Sequence, residues 1–251
     1  MIIQIYEIQT PHEAEECIKL GVDHIGSVIL DQDEWRIPLL RQTIRLSDET
    51  DAKSSLIPLF RQREVIYRAL DYYRPDYIHF CDSLTGRDGL STDLEKLVLF
   101  QSDIRKQFPE VGIIRSIPMP KRGVRAPFSC LEIAAALESS SDIFLTDTWV
   151  EKAPVEGFIG ITGETVGWDI ARSLVLQSNI PVILAGGLSP ENVFSAITEV
   201  LPAGVDSCTH TNRVDKRGNS LRFMKDFRKV GTFVKQVRMA ETELGRGKGF
   251  R

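Results

Sequence analysis

No Cys-x-x-Cys pair occurs in this 251-residue sequence; its four cysteines, Cys17, Cys81, Cys130 and Cys208, stand far apart. A chain of this length reaches a stable core without disulfides, so reduced thiols are expected. Also missing is any apolar run near the roughly 20 residues that a membrane span requires. The N-terminus shows no basic segment leading into an apolar one. The expectation is a soluble, cytoplasmic protein with no membrane partner. Charge of one sign is scarce too: 31 Lys and Arg stand against 35 Asp and Glu, a net charge of -4. That balance supplies no broad positive field for nucleic acid, which is excluded as a first guess. Three catalytic or cofactor signatures are absent as well. There is no Gly-x-Gly-x-x-Gly after the first apolar run, no His-Glu-x-x-His and no Gly-x-Ser-x-Gly elbow. Dinucleotide binding, a zinc site of that kind and serine hydrolysis therefore find no support, and no cofactor or metal is expected.

What is present is a rhythm. Short apolar runs of strand type alternate with longer amphipathic stretches of helix type, the pattern of βα units. Strands are expected at Ile2 to Tyr6, His24 to Leu30, Ser55 to Leu59, Tyr77 to Phe80, Gly112 to Ile117, Ile143 to Thr146, Pro181 to Ala185 and Gly204 to Asp206. Helices are expected at Pro11 to Leu20, Ile37 to Ser47, Arg63 to Tyr73, Thr92 to Gln107, Leu131 to Ser139, Trp168 to Gln177, Pro190 to Leu201 and Ser220 to Arg238. Thr10 before Pro11, Ser91 ahead of Glu95, and Ser189 before Pro190 and Glu191 read as helix starts, and Leu20-Gly21 as a helix end. Eight strands separated by helices predict an α/β fold of the (β/α)8 or TIM-barrel type, one domain over residues 1–240, with an open doubly wound sheet as the alternative. Residues 241–251, basic and glycine-rich without apolar periodicity, read as a flexible tail.

A barrel keeps its chemistry at the C-terminal ends of its strands and in the loops beyond them. That rule selects Tyr6 and Glu7, Arg36, Cys81 and Asp82, Arg115 and Ser116, Asp147, Gly186-Gly187, and Asp206 to His210. Gly186-Gly187 joins a buried strand to a helix start. It serves either as a close backbone approach to a phosphate or as a tight turn alone. Asp147 sits just past an apolar strand, either as a general acid raised by partial burial or as a loop cap. His79 and His210 fall near strand ends without a ligand spacing.

Three segments carry a resemblance: Gly160-Ile161-Thr162-Gly163-Glu164-Thr165-Val166-Gly167-Trp168, then Leu184-Ala185-Gly186-Gly187-Leu188-Ser189-Pro190-Glu191-Asn192-Val193, then Gly204-Val205-Asp206. Together they resemble phosphoribosylanthranilate isomerases, the tryptophan-pathway (β/α)8 barrels. The likeness runs from the first strand to the last helix and is strongest from Ile143 to Asp206. It implies an Amadori rearrangement of a phosphorylated sugar amine, with Asp147 as general acid. Phosphate contacts are implied from Gly163, Gly186, Gly187 and the Thr209-His210 pair. Substrate contacts are implied from Arg36, Arg115 and Asp206, with guanidinium groups suited to a carboxylate. A homodimer is left open. Where the family has its base, a cysteine, this sequence has Tyr6, and a phenol near its reference pKa of about 10 is a poor base at neutral pH. His210 stands where the family has glycine. Glu7, Cys81 or Tyr6 itself could replace the base, although strand alternation turns Glu7 away from the inward position. Two rival readings follow: an isomerase or lyase on another phosphosugar using Asp147 with Glu7 or Cys81, and a non-catalytic barrel that binds a phosphorylated metabolite.

Overall fold

The computed structural model describes residues 1–86, 89–90, 93–151 and 154–248. Eight parallel strands close into a barrel: β1 (Ile2–Ile5), β2 (His24–Ile29), β3 (Lys53–Pro58), β4 (Tyr77–Phe80), β5 (Gly112–Met119), β6 (Ile143–Thr148), β7 (Val182–Leu184) and β8 (Gly204–Ser207). Each strand pairs with its sequence neighbours, and β1 closes the ring on β8 with Gln4 opposite Asp206. Helices α1 (Pro11–Lys19), α2 (Pro38–Arg45), α3 (Arg63–Tyr73), α4 (Leu94–Gln107), α5 (Cys130–Leu137), α6 (Trp168–Gln177), α7 (Val193–Val200) and α8 (Phe227–Lys248) cover it. The open-sheet alternative is thereby set aside.

Alternation along the strands sorts the side chains. Ile3 and Ile5 of β1 join Val182, Leu184 and Val205 in an apolar layer under α1 and α5 to α8. Leu56, Ile78, Phe80 and Ile113 do the same under α2 to α4. Each such aliphatic side chain, fully buried, contributes about 1.5–3 kcal/mol. The inward set is mixed: Tyr6, Val28, Ile114, Leu145 and Ile183 are apolar, while Gln4, His24, His79, Ser116 and Asp206 are buried polar groups that must find partners.

Local signals explain several helix ends. Thr10 accepts the Glu13 N–H at 3.3 Å and so caps α1, and Gly21 closes the turn after it at φ +92°. Asp93 caps α4 by accepting from Glu95 and Lys96; Ser91 and Thr92, expected at this start, lie outside the described residues. The helix expected from Pro190 begins at Val193 instead. Ser189 to Asn192 form a turn in which the Asn192 amide accepts from Ser189 N–H (2.9 Å) and donates to the Gly187 carbonyl (2.9 Å).

Two expectations need correction. The helix expected from Ser220 is preceded by a strand, β10 (Ser220–Lys225), which pairs antiparallel with β9 (Asn212–Val214). Asp215 makes the turn between them by accepting from Arg217 and Asn219, with Gly218 at φ +86°. Asp226 then starts α8 by accepting from Arg228 N–H. Second, α8 runs through Lys248, where the tail read as flexible from residue 241. Glu241 is held there by Arg238 and by the N-terminal amino group of Met1, a pairing of the two chain ends that composition does not reveal. Residues 249–251 lie outside the described residues.

Candidate active site

A cleft of about 730 Å³, counting space open to solvent, occupies the C-terminal mouth of the barrel. Tyr6, Glu7, Cys81, Asp147, Gly163, Gly186, Gly187, Asp206, Thr209 and His210, ten of the residues expected at a site, all line it. Arg36 and Arg115 do not. Arg36 stacks on Tyr72 (4.8 Å) in a groove on the outer face of α2 and α3. Arg115 lies one residue before Ser116; since Ser116 points into the barrel, alternation sends Arg115 out toward the helices.

Tyr6 lies flat over Gly26, where a Cβ would come within 2.4 Å of its ring. Its hydroxyl is hydrogen-bonded to His79 Nδ1 (2.6 Å), and His79 Nε2 to Ser116 Oγ (2.8 Å). Burial and the nearby Arg115 charge drive the His79 pKa down to about 3, and burial pushes the Tyr6 phenol well above its ordinary value. Both groups are neutral at physiological pH, and the pair fills the cleft floor as a satisfied hydrogen-bonded unit. Burial also raises the thiols of Cys81 and Cys208, so neither is a thiolate at neutral pH.

Glu7 is bound up elsewhere. It adopts φ +64°, which swings its carboxylate to the hairpin, where it accepts from Arg222 Nε (2.6 Å), Asn212 Nδ2 (3.2 Å) and Phe223 N–H (3.4 Å). It is 2 % exposed, so it is a buried ion-pair member rather than a rim carboxylate. Arg222 itself is 37 % exposed and is the one Lys or Arg among the described residues lining the cleft. Sequence reading missed it because its segment was taken for helix.

Two carboxyls remain. Asp147, next to last in β6, has its Oδ1 on the Thr148 N–H (2.9 Å), and enclosure by protein pushes its pKa up to about 7. Gly160, at φ +99°, packs against it: a Cβ there would sit 2.3 Å from Asp147 Oδ2. Asp206 on β8 accepts from Gln4 Nε2 (3.3 Å), and Gln4 in turn meets His24 Nδ1 (3.3 Å). Burial, with the Asp147 charge adding to it, raises Asp206 to about 8. The two carboxyls thus face one cleft, and Asp206 feels the Asp147 charge, so between about pH 7 and 8 the pair holds one proton.

The same cleft holds a set of free backbone donors. Gly186 and Gly187 take φ +90° and +61°; a Cβ on the first would meet Thr148 Oγ1 at 2.5 Å and on the second the Glu164 backbone at 2.6 Å. Glycine is required there for both conformation and close approach. Among the described residues, the N–H groups of Gly186, Gly187, Thr209 and His210 donate to no protein acceptor. His210 Nε2 donates to the Gly163 carbonyl (2.9 Å), tying the loop after β8 to the loop after β6. Among the described residues no cluster of three or more His, Cys, Asp or Glu is arranged to hold a metal ion.

Fold and site define a (β/α)8-barrel protein with a carboxyl pair and a glycine-built donor cradle at the barrel mouth. The chain belongs to the phosphoribosylanthranilate isomerase family. The model of N-(5'phosphoribosyl)anthranilate (PRA) isomerase matches residues 106–236. N-(5'-phosphoribosyl)anthranilate isomerase of Methanocella arvoryzae is 33% identical over 248 residues, covering 95% of this chain and 99% of that protein. The Haloferax volcanii protein of the same name is 40% identical over 157 residues, 60% of this chain and 65% of its own. The solved structure of the Pyrococcus furiosus isomerase superposes with a TM-score of 0.63 at 22% identity, covering 95% of this chain and 99% of that one, which speaks for the shared barrel.

Proposed function

We propose that this protein isomerises N-(5'-phosphoribosyl)anthranilate, the aldose-to-ketose rearrangement of a phosphoribosyl amine in tryptophan biosynthesis. The observation that carries the reading is the pair Asp147 and Asp206 lining one cleft together with the donor cradle. The unpaired N–H groups of Gly186, Gly187, Thr209 and His210 suit the phosphate, which anchors the sugar without touching the reacting carbons. Arg222 suits the aromatic carboxylate.

With the sugar so placed, Asp147 gives its proton to the ring oxygen while the anomeric nitrogen expels it, opening the ring to an iminium. Asp206, ionised, takes the C2 proton and leaves an enaminol, which becomes the ketone when Asp206 returns that proton to C1 and the 2-hydroxyl proton passes to Asp147, restoring both carboxyls. A raised carboxyl pKa serves both halves: it keeps one acid protonated at neutral pH and makes the other carboxylate a stronger base. The shared proton can sit on either carboxyl, and the form that carries it on Asp147 is the one that reacts. Tyr6, neutral and hydrogen-bonded to a neutral histidine, serves as floor rather than base.

The test is turnover of N-(5'-phosphoribosyl)anthranilate by the purified protein. Asp147→Asn should lower kcat by about a hundredfold or more. A wild-type rate no higher than that of the variant contradicts isomerase activity, and binding of the phosphosugar without turnover favours the non-catalytic reading.

A further inference from the structure

A second cavity, of about 710 Å³ counting space open to solvent, lies outside the barrel between β4, β5 and helices α3 and α4. Arg115 reaches into it while only 1 % exposed. Its Nη1 donates to Asp82 Oδ2 (3.0 Å), but its Nε and Nη2 have no hydrogen-bond partner. Those two atoms form one edge of the planar guanidinium, the edge that grips a carboxylate through two parallel N–H···O bonds. Gln101 lines the same cavity and is equally buried. Its Nε2 is used up on Ser140 and Ser141, while its Oε1 is unpaired. Two orphan donors and one orphan acceptor therefore belong to two side chains that line one cavity, whereas buried polar groups in proteins are mostly satisfied.

The surroundings narrow the ligand. Arg61, Arg63, Lys96 and Arg115 line the cavity against Asp82, which pairs Arg61 and Arg115, and Asp93, which pairs Lys96, so the cations remain in excess. Its walls are Phe60, Phe80 and Phe100, with Arg115 over the Phe80 ring and Arg63 over the Phe100 ring. We propose that this cavity is a binding site for a small aromatic carboxylate, held through Arg115 Nε and Nη2 with its ring among the phenylalanines. A ring hydroxyl would satisfy Gln101 Oε1. The site is separate from the catalytic cleft yet abuts it, because Cys81 faces the cleft while the next residue, Asp82, faces this cavity.

The probe is 4-bromobenzoate, soaked into crystals of the full chain and located by bromine anomalous scattering, with affinity measured by calorimetry in solution. The expected result is a bromine peak beside Phe80 and Phe100, and an affinity that falls about thirtyfold or more in Arg115→Met. Because Arg115→Met leaves Asp82 without a buried partner, the exposed Arg63→Glu serves as the second variant and should weaken binding about threefold. A peak only in the barrel cleft, no binding at saturating probe, or unchanged affinity in Arg63→Glu overturns the proposal.

Discussion

Replacing Asp147 with asparagine should stabilise the fold while removing its activity, with a pH dependence that the structure fixes. The carboxyl rises from an ordinary 3.8 to about 7 because protein encloses it. For an acid raised in this way the folded state holds the proton more tightly than the unfolded chain. The penalty is therefore absent below 3.8, grows between 3.8 and 7, and is constant above. At pH 5 the native group is neutral while the unfolded one is largely ionised, a cost of about 1.6 kcal/mol; by pH 8 it levels off near 4 kcal/mol. Asparagine has no charge to desolvate, and its Oδ1 still accepts from the Thr148 N–H. Asp147→Asn should thus gain about 2–3 kcal/mol relative to wild type between pH 5 and pH 8. Urea unfolding of both proteins at the two pH values reads this directly. A difference in stability between them that is the same at both pH values would refute the raised pKa.

Three further outcomes follow from the site. Gly187→Ala puts a Cβ against the Glu164 backbone at a φ of +61°, so KM for the phosphorylated substrate should rise about tenfold; an unchanged KM would remove this turn from the phosphate site. Arg222→Met should also raise KM about tenfold, with a lower melting temperature because buried Glu7 loses its partner; full affinity in this variant would assign the substrate carboxylate elsewhere. Tyr6→Phe forfeits the bond to His79, about 1–2 kcal/mol of stability, yet should leave kcat within about threefold of wild type; a collapse of kcat would make the phenol a participant.

Where local pattern dictates structure, the sequence was legible. Period-two apolar runs marked the eight barrel strands because each must turn one face to the helices, and Thr10-Pro11 and Leu20-Gly21 bounded α1 as capping chemistry requires. Most of the cleft was legible for the same reason, since strand ends in a barrel converge. The failures have physical causes. Ser220 to Lys225 looked helical because the following α8 supplies strong periodicity, while the turn signal in Asp215-Lys216-Arg217-Gly218-Asn219 was the evidence for a hairpin; with it went Arg222. Arg36 and Arg115 were placed by loop and strand position, but a single residue of alternation sends Arg115 to the opposite side of the sheet. Glu7 was weighed as a free carboxylate, and only the tertiary hairpin reveals its ion pair. Asp206 was read as a binding residue, since nothing local reports its coupling to a group 59 positions earlier in the chain.

The pH dependence of kcat/KM for N-(5'-phosphoribosyl)anthranilate tests the carboxyl pair most directly, because it reports the groups that must be protonated and ionised in the free enzyme. One proton shared between Asp147 and Asp206 predicts a bell with its limbs set by the values near 7 and 8, centred between them, and lost in Asp206→Asn. A rate independent of pH from 6 to 9, or an unaltered bell in Asp206→Asn, would contradict catalysis by this pair.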